Sequence, residues 1–206
     1  MLTGVWAIVV AGGSGARFGR PKQFEDLLGR RVLDWSLAAA RAVCEGVVPV
    51  LPDDRLEPGA LPGGPTRSAS VRAGLAAVPA EAAIVVVHDA ARPLAGPGLF
   101  EAVVAAVRDG ADAAVPGLAL SDTVKRVRDG RVVETIDRRD LVGVQTPQAF
   151  RAKILRRAHE GAPEATDDAA LVEAIGATVV VVEGDRRNLK LTSPDDLTVA
   201  RALAAG

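Results

Sequence analysis

The chain has 206 residues, 49% of them apolar, with 25 basic and 26 acidic side chains; this excludes a disordered chain and lacks the basic excess of a general nucleic-acid binder. Its one cysteine, Cys44, excludes an intramolecular disulfide and reads as a buried small hydrophobe rather than a metal ligand. No apolar run approaches transmembrane length, so a soluble cytoplasmic protein of one domain, residues 1–206, is expected, with no nucleic-acid or membrane partner.

The first predicted strand, 5–11, runs straight into Gly12-Gly13-Ser14-Gly15-Ala16-Arg17, with Pro21-Lys22 just beyond. Glycines let a backbone approach a ligand closely, and successive N–H groups ahead of a helix favour anions, so this turn reads as a phosphate site. It lacks the Gly-Lys-Ser/Thr ending of a Walker A loop, and Phe18 stands where a dinucleotide fingerprint needs its third glycine. Arg17 and Lys22 are the cations placed to meet a triphosphate.

Apolar periodicity then predicts a helix over 32–43, with Cys44 in the same pattern, a strand over 47–51 and a Pro/Gly-rich loop over 52–65. A helix over 68–78, a strand over 84–88, a helix over 99–108 and a strand over 113–116 follow. Next, 124–128 and 131–136 flank Asp129-Gly130, a strong type I′ turn signal, and predict a hairpin inserted in an otherwise alternating chain. Such a ribbon is marginal in water and needs a surface to lean on; a second copy of the chain would supply one. The last elements are a helix over 151–159, a strand over 178–182 and a helix over 195–204, the last capped by Ser193 with Pro194 at N1 and Asp196 at N3.

This rhythm predicts an α/β fold: a Rossmann-like, mainly parallel twisted sheet with helices on both faces and a protruding β-hairpin arm at about 118–140. Ligands of such sheets sit beyond the carboxyl ends of the strands, where residues 12–17, 89–92 and 188–192 all fall. If the chain stays extended near Asn188, alternation sets Lys190 opposite Leu189 and Leu191, as a cleft-facing cation. His88 ends a buried strand and His159 ends a helix, and both read as structural.

The string from Ala11 to Phe18 with Pro21-Lys22 resembles the nucleotidyltransferases that activate sugar and polyol phosphates. Gly63-Gly64, residues 67–71, His88-Asp89-Ala90-Ala91-Arg92-Pro93, Asp122-Thr123-Val124-Lys125, Thr146-Pro147-Gln148, Thr166-Asp167 and Asn188-Leu189-Lys190 occur in the order seen in the 2-C-methyl-D-erythritol 4-phosphate cytidylyltransferase family. The related ribitol 5-phosphate cytidylyltransferases usually carry valine where this chain has Ala91; they and a non-catalytic CTP-binding regulator are the rival readings. Pro65 stands where some members have an acid, and Ala16 where some have a second arginine. With the chain stopping near residue 206, no cyclase domain of the kind fused to some members is expected.

The resemblance implies transfer of CMP from CTP to methylerythritol phosphate, with Mg²⁺ or another divalent cation accompanying the triphosphate. It implies catalytic roles for Arg17, Lys22, Arg138 and Lys190, and nucleotide contacts from Ala11, Gly12, Gly13, Gly15, Gly64, Ser70, Asp89 and Ala90. Asp89 is also the candidate metal ligand. Arg92, Thr123, Arg138, Thr146 and Thr166 are implied on the polyol phosphate, with Thr123 and Arg138 reaching the neighbouring subunit of a homodimer through the arm.

Overall fold

The computed structural model of the chain describes residues 2–13, 15 and 18–206. Strand β1 (Leu2–Val10) lies between the parallel strands β4 (Cys44–Leu51) and β6 (Ile84–Asp89). The minor strands β2 (Asp26–Leu27) and β3 (Arg30–Arg31) pair with each other, and β5 (Leu61–Pro62) extends the sheet beyond β4. On the other side stand β7 (Ala113–Ala119), β10 (Val142–Val144), β11 (Gln148–Arg151) and β12 (Val179–Glu183). The order β10-β7-β11-β6-β1-β4-β5, with β12 parallel to β7, makes an eight-stranded sheet in which only the pairs involving β10 and β11 are antiparallel.

Alternate residues of each strand feed a different layer, as expected where both faces of a sheet are covered. Val5, Ala7 and Val9 meet α1 (Val32–Val43) and α3 (Pro97–Arg108) through Leu33, Leu37, Phe100 and Val104. Ile8, Val85 and Val87 meet the opposite layer, α2 (Arg67–Ala77), α4 (Ala152–Ala158) and α5 (Asp168–Ala174), through Val71, Leu155 and Val172. A third cluster seats α6 (Pro194–Ala205) through Leu197 and Ala200 against Phe18, Leu27 and Leu191. Ser193 and Asp196 form the expected capping box at its start.

Between β7 and β10 the chain leaves the sheet as β8 (Val124–Arg128) and β9 (Arg131–Ile136), a separate two-stranded ribbon. Asp129 and Gly130 both take positive φ, +48° and +73°, the geometry of a type I′ turn. Lys125 Nζ donates to Thr135 Oγ1 at 2.6 Å and Arg126 Nε to Glu134 Oε2 at 2.7 Å, fixing the register, while Val127, Val132 and Val133 stand exposed.

Two expectations are corrected. Cys44 does not continue a helix; it caps α1 and begins β4, buried as expected, with desolvation raising its thiol to about 12. Residues 188–192 form no strand: the segment is held by the Leu191 N–H donating to Ala91 O at 2.8 Å, and that contact, not alternation, places Lys190. Strand β11 and helix α5 also lie where the sequence pattern marks neither; each is short, and β11 enters a parallel sheet the wrong way round.

Candidate active site

The carboxyl ends of β1 and β6 and the start of α2 surround a cleft of about 560 Å³. Ala11, Gly12, Gly13, Lys22, Gly64, Ser70, Asp89, Ala90 and Lys190 line it, so most residues expected at the nucleotide meet in one place. Two backbone segments form its narrowest wall. A Cβ on Gly12 would lie 3.4 Å from Ser70 Oγ, and one on Gly64 would lie 2.4 Å from Ala69 Cβ, so only glycine lets loop and helix close together at Gly64. Ser70 serves that closure: its hydroxyl accepts the Gly64 N–H at 3.1 Å and donates to Thr66 O at 2.9 Å. Thr66 caps α2 by accepting from the Ala69 N–H.

The glycine-rich turn is stapled by a residue that the sequence gives no reason to single out. Gln23 is buried in the short helical turn Lys22–Phe24, and its Nε2 donates to Ala11 O at 2.7 Å and Gly13 O at 3.1 Å. One side chain thus ties the loop to the turn carrying Lys22. Gly15, with φ +69°, leaves no space for a Cβ, which would fall 2.0 Å from Arg20 O. Arg17 lies outside the described residues.

Asp89 closes β6 and sits between two cations. Arg67 Nε donates to its Oδ1 at 3.0 Å and Lys190 Nζ to its Oδ2 at 2.6 Å. Burial raises the carboxyl pKa, but the two cations outweigh burial and hold it well below the ordinary range. Arg67 is the second residue that sequence reasoning passed over as a site residue, although a signal was present: arginine in the first turn of a helix opposes the macrodipole and needs a carboxylate to justify it. Its Nη1 donates to Asp168 Oδ2 at 2.7 Å, and that carboxylate is fully buried.

Thr146 stands behind the cleft in a buried polar layer, with the half-buried Arg92 at its edge. The Thr146 hydroxyl accepts the Asp89 N–H at 3.0 Å and lies 3.1 Å from His88 Nδ1. Arg92 Nη1 donates to Asn188 O at 2.8 Å, and the buried Asn188 donates from Nδ2 to Thr146 O at 2.9 Å, so this layer fixes the segment that carries Lys190. His88 is fully buried beside Phe100, and His159 faces Asp168; both hold the fold, as their positions implied. Thr123, Arg138 and Thr166 are exposed and do not line the cleft. Arg138, at the root of the arm, donates to Leu120 O and, at 3.4 Å, to Asp122 O.

Among the described residues, Asp89 is the one carboxylate lining the cleft, and no group of three acidic, histidine or cysteine side chains could cage a metal. That donor set suits Mg²⁺, which keeps its waters and binds through one or two carboxylates together with substrate phosphates. No helix among the described residues is long and apolar enough to cross a membrane.

The family model described as 2-C-methyl-D-erythritol 4-phosphate cytidylyltransferase matches residues 5–205. A protein of that name from Rubrobacter xylanophilus is 43% identical over 223 residues, covering 99% of this chain and 96% of its own length. The bifunctional enzyme IspD/IspF of Anaeromyxobacter dehalogenans is 47% identical, and the match covers 97% of this chain but 56% of that protein. Among solved structures, 2-C-methyl-D-erythritol 4-phosphate cytidylyltransferase from Thermus thermophilus superimposes with a TM-score of 0.85 at 38% identity, covering 97% of this chain and 98% of that one.

Proposed function

The chain belongs to the 2-C-methyl-D-erythritol 4-phosphate cytidylyltransferase family, and from that premise we propose how its residues carry the reaction. The enzyme transfers CMP from CTP to 2-C-methyl-D-erythritol 4-phosphate, releasing pyrophosphate, in the non-mevalonate supply of isoprenoid precursors. A phosphate oxygen of the acceptor forms a bond to the α-phosphorus while the bond from that phosphorus to the bridging oxygen of the leaving pyrophosphate breaks. Such a displacement needs alignment and charge stabilisation rather than a covalent nucleophile.

The observation that carries the reading is the convergence of Lys22, Lys190 and Asp89 on one glycine-walled cleft. Lys22 and Arg17 embrace the triphosphate, and a guanidinium suits this because its fork binds two phosphate oxygens and keeps its charge. Lys190 bridges the α-phosphate and the incoming phosphate. The narrow wall at Ala11, Gly12 and Gly64, with Ser70 behind it, admits a pyrimidine by volume and reads it through backbone groups. Gly13, Gly15 and Ala90 shape the turn and the cleft floor. Asp89 and the triphosphate oxygens would hold Mg²⁺, which supplies charge neutralisation at the phosphates.

Arg138 and Thr123 belong to a second site in this reading: they reach the polyol phosphate bound mainly by a partner copy, with Arg92, Thr146 and Thr166 completing acceptor binding. Supporting this homodimer are the exposed valines of the arm and the exposure of Arg138 at its root. Pyrophosphate release with Mg²⁺ and CTP is measured with methylerythritol phosphate and ribitol 5-phosphate in parallel. Release with the first acceptor alone is expected, and release with the second alone would overturn the acceptor assignment. Mixing Arg138→Ala with Lys190→Ala protein under proven subunit exchange is expected to restore part of the activity through one hybrid site; no recovery would mean each site is built by a single chain.

A further inference from the structure

Ionisable side chains run in a line from the cleft into the core: Lys190, Asp89, Arg67, Asp168 and His159, each within hydrogen-bond distance of the next. The Lys190 side chain is 38% exposed and that of Arg67 22%, while Asp89 retains 12% and Asp168 none. The two cations on Asp89 differ in what they can do. Lys190 is a single-point donor on a flexible stem, and its outward position lets it swing to phosphate. Arg67 is a planar fork clamped between two carboxylates, and the inner one cannot follow it outward.

The role given to Lys190 requires it to leave Asp89 for the phosphates as charge builds on them in the transition state. That departure takes the partner from one oxygen of a nearly buried carboxylate and leaves that oxygen to the Mg²⁺ that would accompany the triphosphate; the other oxygen needs a lasting partner, because an uncompensated buried charge is costly. Arg67 covers the other oxygen throughout. Asp168, reached only from inside, keeps Arg67 in place while the outer charges rearrange, and His159 Nε2 at 3.0 Å from Asp168 Oδ1 backs that anchor in turn.

We propose that Arg67 is a positioning residue that acts as the standing counter-ion of Asp89, so that Lys190 can exchange from carboxylate to phosphate during cytidylyl transfer. The inference rests on the role proposed above for Lys190. A purely structural Arg67, tying the start of α2 to α5, would make no distinction between enzyme with and without Lys190. Coupling between the two side chains therefore decides the matter.

The experiment is a double-mutant cycle on the full chain: wild type, Arg67→Met, Lys190→Ala and the double variant, with kcat and KM measured for both substrates at saturating Mg²⁺. Thermal unfolding of each protein establishes that it is folded. Arg67→Met is expected to lower kcat about tenfold, the effect of a coupling of about 1.4 kcal/mol, with KM for CTP within about twofold, because the lost exchange is completed only in the transition state. In the Lys190→Ala background the same substitution is expected to cost less than about twofold, since nothing remains to be released. Arg67→Lys, which keeps a charge on Asp89 but cannot span both carboxylates, recovers part of the lost kcat. If Arg67→Met does not fold, Asp168→Asn replaces it in the cycle, loosening the anchor without a change of shape.

Equal losses from Arg67→Met with and without Lys190, or a wild-type kcat in Arg67→Met, would overturn the proposal while leaving the role of Lys190 intact. A wild-type kcat in Lys190→Ala would overturn that role and this proposal together.

Discussion

His88 gives the structure a defined weakness to acid. The ring is fully buried against Phe100, with centroids 5.1 Å apart. Thr146 Oγ1 accepts the Asp89 N–H and lies 3.1 Å from His88 Nδ1, to which its hydroxyl can donate when the neutral ring carries its proton on Nε2. Burial, opposed by Asp89 and assisted by Arg92, lowers the histidine from 6.5 to about 4. The unfolded chain therefore binds a proton that the folded chain refuses between those two values, and stability falls as pH drops through that window. Relative to pH 7 the loss is about 2 kcal/mol at pH 5 and about 3 kcal/mol at pH 4, or about 10 °C in Tm for a chain of this size. The perturbation is His88→Gln, whose amide oxygen can still accept from Thr146. Chemical denaturation of both proteins at pH 7, 6, 5 and 4.5 isolates the histidine as the difference between two acid profiles. The variant starts less stable at pH 7 and loses less on acidification; parallel profiles would refute the assignment of a neutral buried imidazole.

Replacing Gln23 by Met withdraws both hydrogens from the carbonyls of Ala11 and Gly13; the expected result is a loss of about 1–3 kcal/mol in unfolding experiments and a raised KM for CTP, and an unchanged KM would separate the staple from nucleotide binding. Gly64→Ala pushes a methyl into Ala69 and displaces the cleft wall, so kcat/KM for CTP should fall by about 10²-fold, with wild-type kinetics showing that the wall can retreat. Asp196→Ala removes an acceptor that takes 2.7 Å hydrogen bonds from the Thr192 N–H, the Thr192 hydroxyl and the Ser193 N–H. It should cost about 1–2 kcal/mol by calorimetry, the difference vanishing only toward pH 2, where wild-type Asp196 itself protonates.

What could be read from the sequence was what is encoded locally. The turn at Asp129-Gly130, the cap at Ser193 and the apolar stripe of α1 each need only a few neighbouring residues, and each formed with the expected geometry. β11 escaped because its four residues alternate too briefly and their partners, β6 and β7, lie far away in sequence. α5 escaped because seven residues hold barely two turns, begun by Asp167 accepting from the Ala170 N–H. The nucleotide loop was legible because glycines betray a backbone conformation; Gln23 was not, because its partners are carbonyls, which every residue possesses.

The charges follow the same division. Among the described lining residues of the cleft, Lys22, Arg67 and Lys190 face a single carboxylate, Asp89. Crowding cations in a half-buried space weakens an empty site and favours a polyanion, so part of the binding energy for a triphosphate is stored as repulsion in the free enzyme. Two features limit that repulsion without closing the site to phosphate: Asp89 pairs with both Lys190 and Arg67, and Asp168 pairs with Arg67 from behind. Most of the nucleotide-site residues that sequence patterns identified line the cleft. The residues they missed, Arg67 and Asp168, set the charge that the visible ones work against, and their pairing spans 101 positions of chain. No local pattern carries that information, which is why a single arginine in the wrong place on the helix dipole was its only trace.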